Sequence, residues 1–239
     1  MIALSYSRIS DYRQCPGKFK LKYIDKLPNF YEDAGKSPHL IRGGNVHKAL
    51  EAYVIKKKAG ENDIPISSLK EVEETKPLID NIMEIYNYHP EHQIAINDKF
   101  ELIDWYSKEA YFRLVADGVG FSDHLLLTDY KTGKVTDYSG SMEKPGQLHF
   151  SALIGFSVWP QFSVCKTLYI FVDHKIPYPQ SFNREQHFER LKKKLIEEHE
   201  IINADKNYEF TPNQWCKWCP ADNSQCFHSR KSVKGGFAY

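Results

Sequence analysis

VADGVGFSDHLLLTDYKTGK, residues 115–134, is the stretch on which the reading of this chain turns. Its apolar run Leu125-Leu126-Leu127 leads into TDYKTGK, so residues 122–131 read as a strand, after earlier strands of a meander at 92–104 and 110–118. Alternate side chains of a strand share a face, so Asp129 and Lys131 project together while Tyr130 points the other way. Asp117 ends the preceding strand and reaches the same place when the two strands pair, giving two carboxylates for one hard cation. Lys131 then stands beside water held by that cation. Phosphodiester hydrolysis needs such a set: a metal to acidify the attacking water and offset charge in the transition state, and a lysine to position water or phosphate. An Asp-x-Lys on a strand is common by itself, so its weight depends on what surrounds it.

Working outward, Gly43-Gly44 precedes a helix in GNVHKALEAYVIKKKAG, where Val46, Leu50, Tyr53 and Val54 recur at helical spacing until Gly60. His47 lies beside that stripe, where a histidine is ordinarily part of a helix edge. A further helix starts after Ser67-Ser68, is interrupted or restarted at Pro77, and runs through Leu78, Ile82, Ile85 and Tyr86. A helix over 145–158, a strand over 164–172 and a charged helix over 184–202 complete a mixed α/β order. At the start, Ser5 or Ser7 caps a short helix, and Pro16 suits the first turn of a second one reaching Ile24. At 239 residues, with 41% apolar and 14% aromatic residues, the chain suits one elaborate domain better than two.

No apolar stretch approaches the roughly 20 residues of a membrane helix, and MIALSYSRISDYRQCP turns polar too early for a signal peptide. The expectation is a cytoplasmic protein in a reducing compartment, whose five cysteines bind metal or are buried. A net charge of +1 excludes overall basicity as a sign of nucleic-acid binding. Locally, Arg8, Arg13, Lys18, Lys20, Lys22 and Lys26, and Arg230, Lys231 and Lys234 in the tail, form either phosphate-binding surfaces or solvated faces. The GKS at 35–37 is no phosphate loop, because Phe30 stands where that motif needs glycine.

Cys216, Cys219 and Cys226 form C-x2-C-x6-C, and Cys15 stands far upstream. Four thiolates complete a structural zinc site or an iron–sulfur cluster, and spacing does not choose between them. Cys165, inside VCKTLYIFV, reads as a small buried apolar residue, and His228 is a weaker rival ligand.

Taken in order, SYSRISDYRQCPGKFKLKYI, GNVHKALE, Asp117, DYKTGK, QLHFSALI and WCKWCPADNSQC, spanning residues 5–226, resemble the RecB-like branch of the PD-(D/E)XK nuclease superfamily. The likeness is to members with a four-cysteine cluster, such as AddB-type and CRISPR-associated nuclease domains. It implies an α/β fold: a central mixed β-sheet flanked by helices, restriction-endonuclease-like, with a helical module built from both ends. Residues 1–26 and 205–239 would form that module and 43–203 the nuclease core, within a single domain over 1–239. It implies His47, Asp117, Asp129 and the backbone carbonyl of Tyr130 as metal ligands, Glu91 as an additional acid ahead of Glu101, Lys131 as the catalytic lysine, and Gln147 as the residue holding DNA or that lysine. Where the family often has Gln-x-x-x-Tyr, Ser151 follows Gln147, leaving Phe150 as the nearest ring. The implied cofactors are Mg2+ or Mn2+ and a [4Fe-4S] cluster on Cys15, Cys216, Cys219 and Cys226, which would staple the chain ends. The implied activity is exonucleolytic hydrolysis of DNA in recombination, repair or phage DNA metabolism, with room for a helicase or recombination partner in trans. The rival readings are a non-catalytic Fe–S or zinc DNA-binding protein on the same scaffold, and an endonuclease or RNA-processing nuclease.

Overall fold

The computed structural model describes residues 2–32, 37–61, 70–135, 140–222 and 224–228. The tail cations Arg230, Lys231 and Lys234, the Gly35-Lys36 pair and the Ser67-Ser68 start signal lie outside them. The chain divides into two units, Met1–Leu4 with Arg42–Glu197, and Ser5–Ile41 with Glu198–Tyr239.

The first unit is built on a six-stranded mixed sheet in the order β2-β1-β3-β4-β5-β6. The strands are β1 (Asn87–Ile96), β2 (Leu102–Ile103), β3 (Phe112–Phe121), β4 (Leu125–Lys131), β5 (Val164–Phe171) and β6 (Ile176–Asn183). Neighbours run antiparallel except β4 and β5, which pair in parallel and are joined through helix α6 (Gln147–Val158). Parallel strands need such a crossover, and it sets α6 against the sheet.

Period-two alternation sorts β4 between two layers. Leu126 and Tyr130 join Leu168, Ile170 and Val172 in one apolar cluster with Val46, Leu50, Tyr53 and Val54 of α4 (Pro38–Lys58) and Val72, Ile79 and Ile82 of α5 (Lys70–Ile85). Leu125 and Leu127 face the other way and meet α6, where a Cβ on Gly155 would come within 2.8 Å of Leu125 and 2.9 Å of Leu127. Helix α6 is buried from Leu148 to Phe156, so it shows no amphipathic stripe. Asp129 and Lys131 have the parity of Leu125 and Leu127, which puts them on the α6 side.

Several elements differ from the expectation. The helix expected to follow Gly43-Gly44 begins at Pro38 and runs through both glycines, and the strand expected over 92–104 is divided between β1 and β2. Pro77 lies inside α5 without ending it, and the burial of Val72, Ile79 and Ile82 offsets the roughly 3 kcal/mol that an interior proline costs. Strand β3 continues beyond Gly118 to Phe121, because Tyr88 and Tyr86 cover Gly118 and Gly120: a Cβ on Gly118 would lie 1.9 Å from the Tyr88 hydroxyl oxygen. Strand β6, with Pro177 and Pro179, has no counterpart in the sequence reading. It closes one edge of the sheet, where a missing ladder donor is tolerated.

The second unit contains α1 (Tyr6–Gln14), α2 (Pro16–Phe19) continuing into a π-turn over Lys20–Ile24, α3 (Asn29–Glu32) and a 3-10 turn at Cys216–Trp218. Ser5 caps α1, accepting from the Arg8 amide, and Pro16 opens α2. The half-buried Asp11 carboxylate accepts from Lys18 Nζ, Lys22 Nζ and the Tyr23 hydroxyl. Burial works against its charge, but the two lysines outweigh that and hold its pKa below the usual value. Arg13 pairs with Glu198 and Lys20 with Asp25, so four cations of the basic segment face acids of their own unit. Among the described residues no helix is long and apolar enough to cross a membrane.

Gly118→Ala should cost about 1–3 kcal/mol, since its methyl meets both Tyr88 and, at 2.7 Å, Thr128 Oγ1. Urea denaturation reads this as a lower midpoint at unchanged slope. A smaller cost of Gly118→Ala in a Tyr88→Leu background, which removes both the hydroxyl oxygen and the ring carbon at 2.2 Å, would tie it to that contact.

Candidate active site

The β3–β4 ladder runs from Phe121↔Leu125 to a last pair, Gly118↔Thr128. Two residues beyond Thr128, the Tyr130 amide faces no paired residue of β3, and Asp117 Oδ2 accepts its N–H at 2.6 Å. The N–H and C=O of one strand residue point to the same side, so the Tyr130 carbonyl faces the parted edge that Asp117 lines. Tyr130 itself is anchored from below: its buried ring packs in the α4–α5 layer, and its hydroxyl lies 3.2 Å from that of Tyr88.

Helix α4 supplies His47, whose Nδ1 lies 2.9 Å from Asp117 Oδ1 and whose ring stands edge-on to Tyr130 at 5.8 Å. From α6, Gln147 bridges the two charged ends of the DYK stretch. Its Nε2 donates to Asp129 Oδ1 at 2.5 Å and its Oε1 accepts from Lys131 Nζ at 2.9 Å. Only this amide orientation is compatible with an anion on one side and a cation on the other. Lys131 Nζ also lies 2.6 Å from Asp129 Oδ2. That contact is one of charge rather than a directed hydrogen bond, since the buried Oδ2 has no hydrogen-bond partner of acceptable geometry.

Burial raises the pKa of Asp129, and the Asp117 charge raises it further against the opposing pull of Lys131. Burial would depress His47, but hydrogen bonding and charge from Asp117, with Asp129 behind it, more than compensate and hold it above 6.5. Asp129 and His47 thus hold their protons more tightly than isolated groups would.

His47, Asp117, Asp129, Lys131 and Gln147 are brought together as the sequence reading expects. Glu91 is exposed on β1 between Pro90 and His92, whose partners Gly118 and Ala116 flank Asp117, so its backbone runs alongside the site. Glu101 lies outside β1 and bonds to Asn97. Phe150 is fully buried against Phe112, with rings 5.5 Å apart. The residue that the sequence reading missed is Tyr169 of β5, the register partner of Asp129. Its ring lies 4.9 Å beneath Lys131 Nζ, and its hydroxyl donates to Gln147 Oε1 at 3.3 Å. The only sequence signal for it was a strand over 164–172, which did not say which strand would be its neighbour.

Among the described residues no three His, Cys, Asp or Glu side chains converge on one point as a ready ion cage. The donors here are engaged instead: Asp117 with His47 and Tyr130, Asp129 with Gln147 and Lys131. A hard divalent cation still fits this chemistry. Its oxygen ligands would be two adjacent carboxylates, one of which buries an oxygen without a hydrogen-bond partner, and a backbone carbonyl is at hand.

In the second unit, Cys15, Cys216, Cys219 and Cys226 line one cavity of about 230 Å³, with Lys18, Trp215, Trp218 and Pro220. Cys15 caps α2, and its Sγ accepts from the Lys18 and Thr211 amides, each at 3.4 Å; Cys216 Sγ accepts from the Asn213 amide at 3.3 Å. Burial raises the Cys219 thiol, and nearby Cys226 and Cys15 add to that against Lys18. Cys165 is fully buried in β5.

A sheet that parts to expose paired carboxylates, a lysine and a bridging glutamine is the framework of a restriction-endonuclease-like hydrolase. The chain belongs to the PD-(D/E)XK nuclease superfamily, whose sequence profile matches residues 3–226. Members of that superfamily are nucleic-acid hydrolases that commonly use Mg2+ or Mn2+. No curated protein matches the sequence. Among solved structures, one described as "Crystal structure of SSO0001" is similar at 12% identity and a TM-score of 0.46, over 92% of this chain and 84% of that one.

Raised pKa values at His47 and Asp129 mean that the folded site binds more protons than the unfolded chain. Their stabilising contribution is full below the ordinary values of 6.5 and 3.8 and is lost as pH rises through the raised ones. A cation taking these ligands displaces the protons, so its affinity should increase with pH over about 6 to 8. Calorimetric titration with Mn2+ in two buffers of different ionisation heat should show net proton release, reduced in His47→Ala. Identical heats in both buffers would contradict the assignment of these groups as ligands.

Proposed function

We propose that this chain is a metal-dependent deoxyribonuclease that hydrolyses phosphodiester bonds at DNA ends. The observation that carries the reading is the junction of Asp117, Asp129, Lys131 and Gln147 at the point where β3 and β4 separate. His47, Asp117, Asp129 and the Tyr130 carbonyl are the proposed ligands of Mg2+ or Mn2+, with Glu91 as an additional acid from β1. When bound, the metal supplies an acidified water and charge neutralisation at the phosphate.

The protein's own part is placement. Lys131 presents an ammonium to a non-bridging phosphate oxygen or to the attacking water, where a fixed cation stabilises the growing negative charge. Gln147 gives that ammonium a second, directed acceptor beside Asp129, because its carbonyl oxygen takes one lysine hydrogen while its amide satisfies the carboxylate. Asp117 holds the Tyr130 peptide in the orientation that aims its carbonyl at the site. Helix α6 and the α4–α5 layer hold these groups on packed elements, limiting reorganisation during the reaction.

Purified protein should degrade linear DNA with Mg2+ or Mn2+ and leave closed circles intact. Lys131→Ala or Asp129→Ala should slow cleavage by about 100-fold or more, with the fold retained by circular dichroism. DNA labelled at one end, circular DNA, single strands and matched RNA, run side by side, separate the possibilities. Cutting of circles would replace the exonuclease assignment with an endonuclease, and preference for RNA would replace the substrate. Wild-type rates for Lys131→Ala would overturn the site.

We propose a [4Fe-4S] cluster as the occupant of the cavity that the four cysteines line. Backbone N–H donors to Cys15 and Cys216 sulfurs are the contacts that favour ligated thiolates, and Trp215 and Trp218 border the cavity. Protein prepared without oxygen should be brown and carry about four irons per chain. One zinc and no iron would assign the cavity to zinc and leave the nuclease reading standing.

A further inference from the structure

We propose that Tyr169 is a positioning residue for the reaction, its ring carrying the Lys131 ammonium and its hydroxyl orienting the Gln147 carboxamide. The role rests on the nuclease reading of this site and adds a residue to it.

Three observations converge. Tyr169 and Asp129 are register partners on adjacent parallel strands, so their side chains rise on the same face. Lys131, two residues on, brings its Nζ to 4.9 Å from the centre of the Tyr169 ring, within the distance at which the negative face of a ring attracts a cation. The Tyr169 hydroxyl donates at 3.3 Å to the Gln147 oxygen that also accepts from Lys131. Tyr169 is 1% exposed, with its ring 6.1 Å from that of Phe171, so it is fixed before any substrate arrives.

Position matters here because Lys131 has two competing attractions. Its Nζ lies 2.6 Å from Asp129 Oδ2 and 2.9 Å from Gln147 Oε1, and both contacts draw on the hydrogens that a phosphate oxygen would need. The ring offers attraction from below without a lone pair, and so holds the charge at a height that a directional acceptor would not. On α6, Ser151 stands one turn after Gln147, Phe150 packs against Phe112 and His149 against Phe182. The aromatic support comes from the sheet instead.

The test separates ring, hydroxyl and fold. Lysine ε-methylene groups are observed by NMR after selective ¹³C labelling, with Lys131→Arg to assign the signal. In the wild type, Lys131 ε-protons should be shielded by the ring. Tyr169→Phe should keep that shielding, and Tyr169→Met should lose it. In cleavage assays Tyr169→Met should lower kcat by about tenfold with little change in KM, whereas Tyr169→Phe, which keeps the ring and loses the bond to Gln147, should fall roughly threefold. Unshielded Lys131 ε-protons in the wild type, or a Tyr169→Met enzyme with wild-type kcat, would overturn the proposal. Equal losses in Tyr169→Phe and Tyr169→Met would do the same for the ring's part. A wild type that shows the shielding but cuts no nucleic acid would retain the contact and refute the nuclease reading, so the two failures are distinguishable. Should Tyr169→Met not fold, the wild-type shielding and the Tyr169→Phe rate still decide.

Discussion

The bond from the Tyr130 amide to Asp117 Oδ2 is the interaction around which the first unit is organised. Two antiparallel strands that pair throughout expose no backbone between them, and a site there would have to be built on loops. Here the ladder stops at Gly118↔Thr128, and a carboxylate takes the role of the next strand partner. The substitution satisfies a buried N–H that would otherwise cost about 1–3 kcal/mol. It also leaves a charged side chain where the sheet would have had a peptide. Gly118 makes the separation compatible with a packed layer below, because Tyr88 occupies the space of its missing side chain and bonds to Thr128 at 2.5 Å.

Above that point the problem is the burial of charge. Asp129 Oδ2 has almost no access to water, and an isolated buried carboxylate would give up its charge. Lys131 supplies the counter-charge, Gln147 a directed bond to the other oxygen, and His47 a further positive influence through Asp117. These groups come from α4, β3, β4 and α6, so no local segment could form the site alone. Arg42 and Asp173 extend the same logic to the following loop: the carboxylate takes both the guanidinium and the Gly133 amide, fixing the turn that leaves Lys131.

Most of this framework was legible because its signals are local. Alternation around Leu125 to Lys131 put Asp129 and Lys131 on one face, and helical spacing from Val46 to Val54 put His47 beside a buried stripe. What was not legible depends on neighbours. The glycines of DGVGF shorten the apparent strand unless Tyr86 and Tyr88 are known to lie over them. Pro177 and Pro179 speak against a strand unless that strand is at an edge. Tyr169 acquires its place only once β5 is known to run parallel beside β4 in the register Asp129↔Tyr169. The lysines of the first helices look like a surface for phosphate until Asp11, Asp25 and Glu198 are seen to face them.

The second unit poses a different energetic question, since it is assembled from the two ends of the chain. Bringing residues about 200 positions apart into contact carries a loop-closure cost of several kcal/mol, which local helix formation does not recover. One apolar cluster in it joins Leu21, Phe30 and Ala221, with Leu27, Cys219 and Cys226 packed against them, and the buried Phe19 ring meets those of Tyr12, Tyr23 and Tyr208. Polar contacts between the ends add to it, among them Tyr12 with Asp205 and Asn29 with the Pro220 carbonyl. Cys15 has a structural role at the same junction, ending α1 through its amide and starting α2 through its sulfur. A centre bound by four thiolates would act on this balance directly, because it links Cys15 to the C-terminal triplet and stabilises only the folded arrangement. Physically, the cysteines are placed where a cross-link would contribute several kcal/mol on the chain-entropy account, at the closure of a loop of about 200 residues.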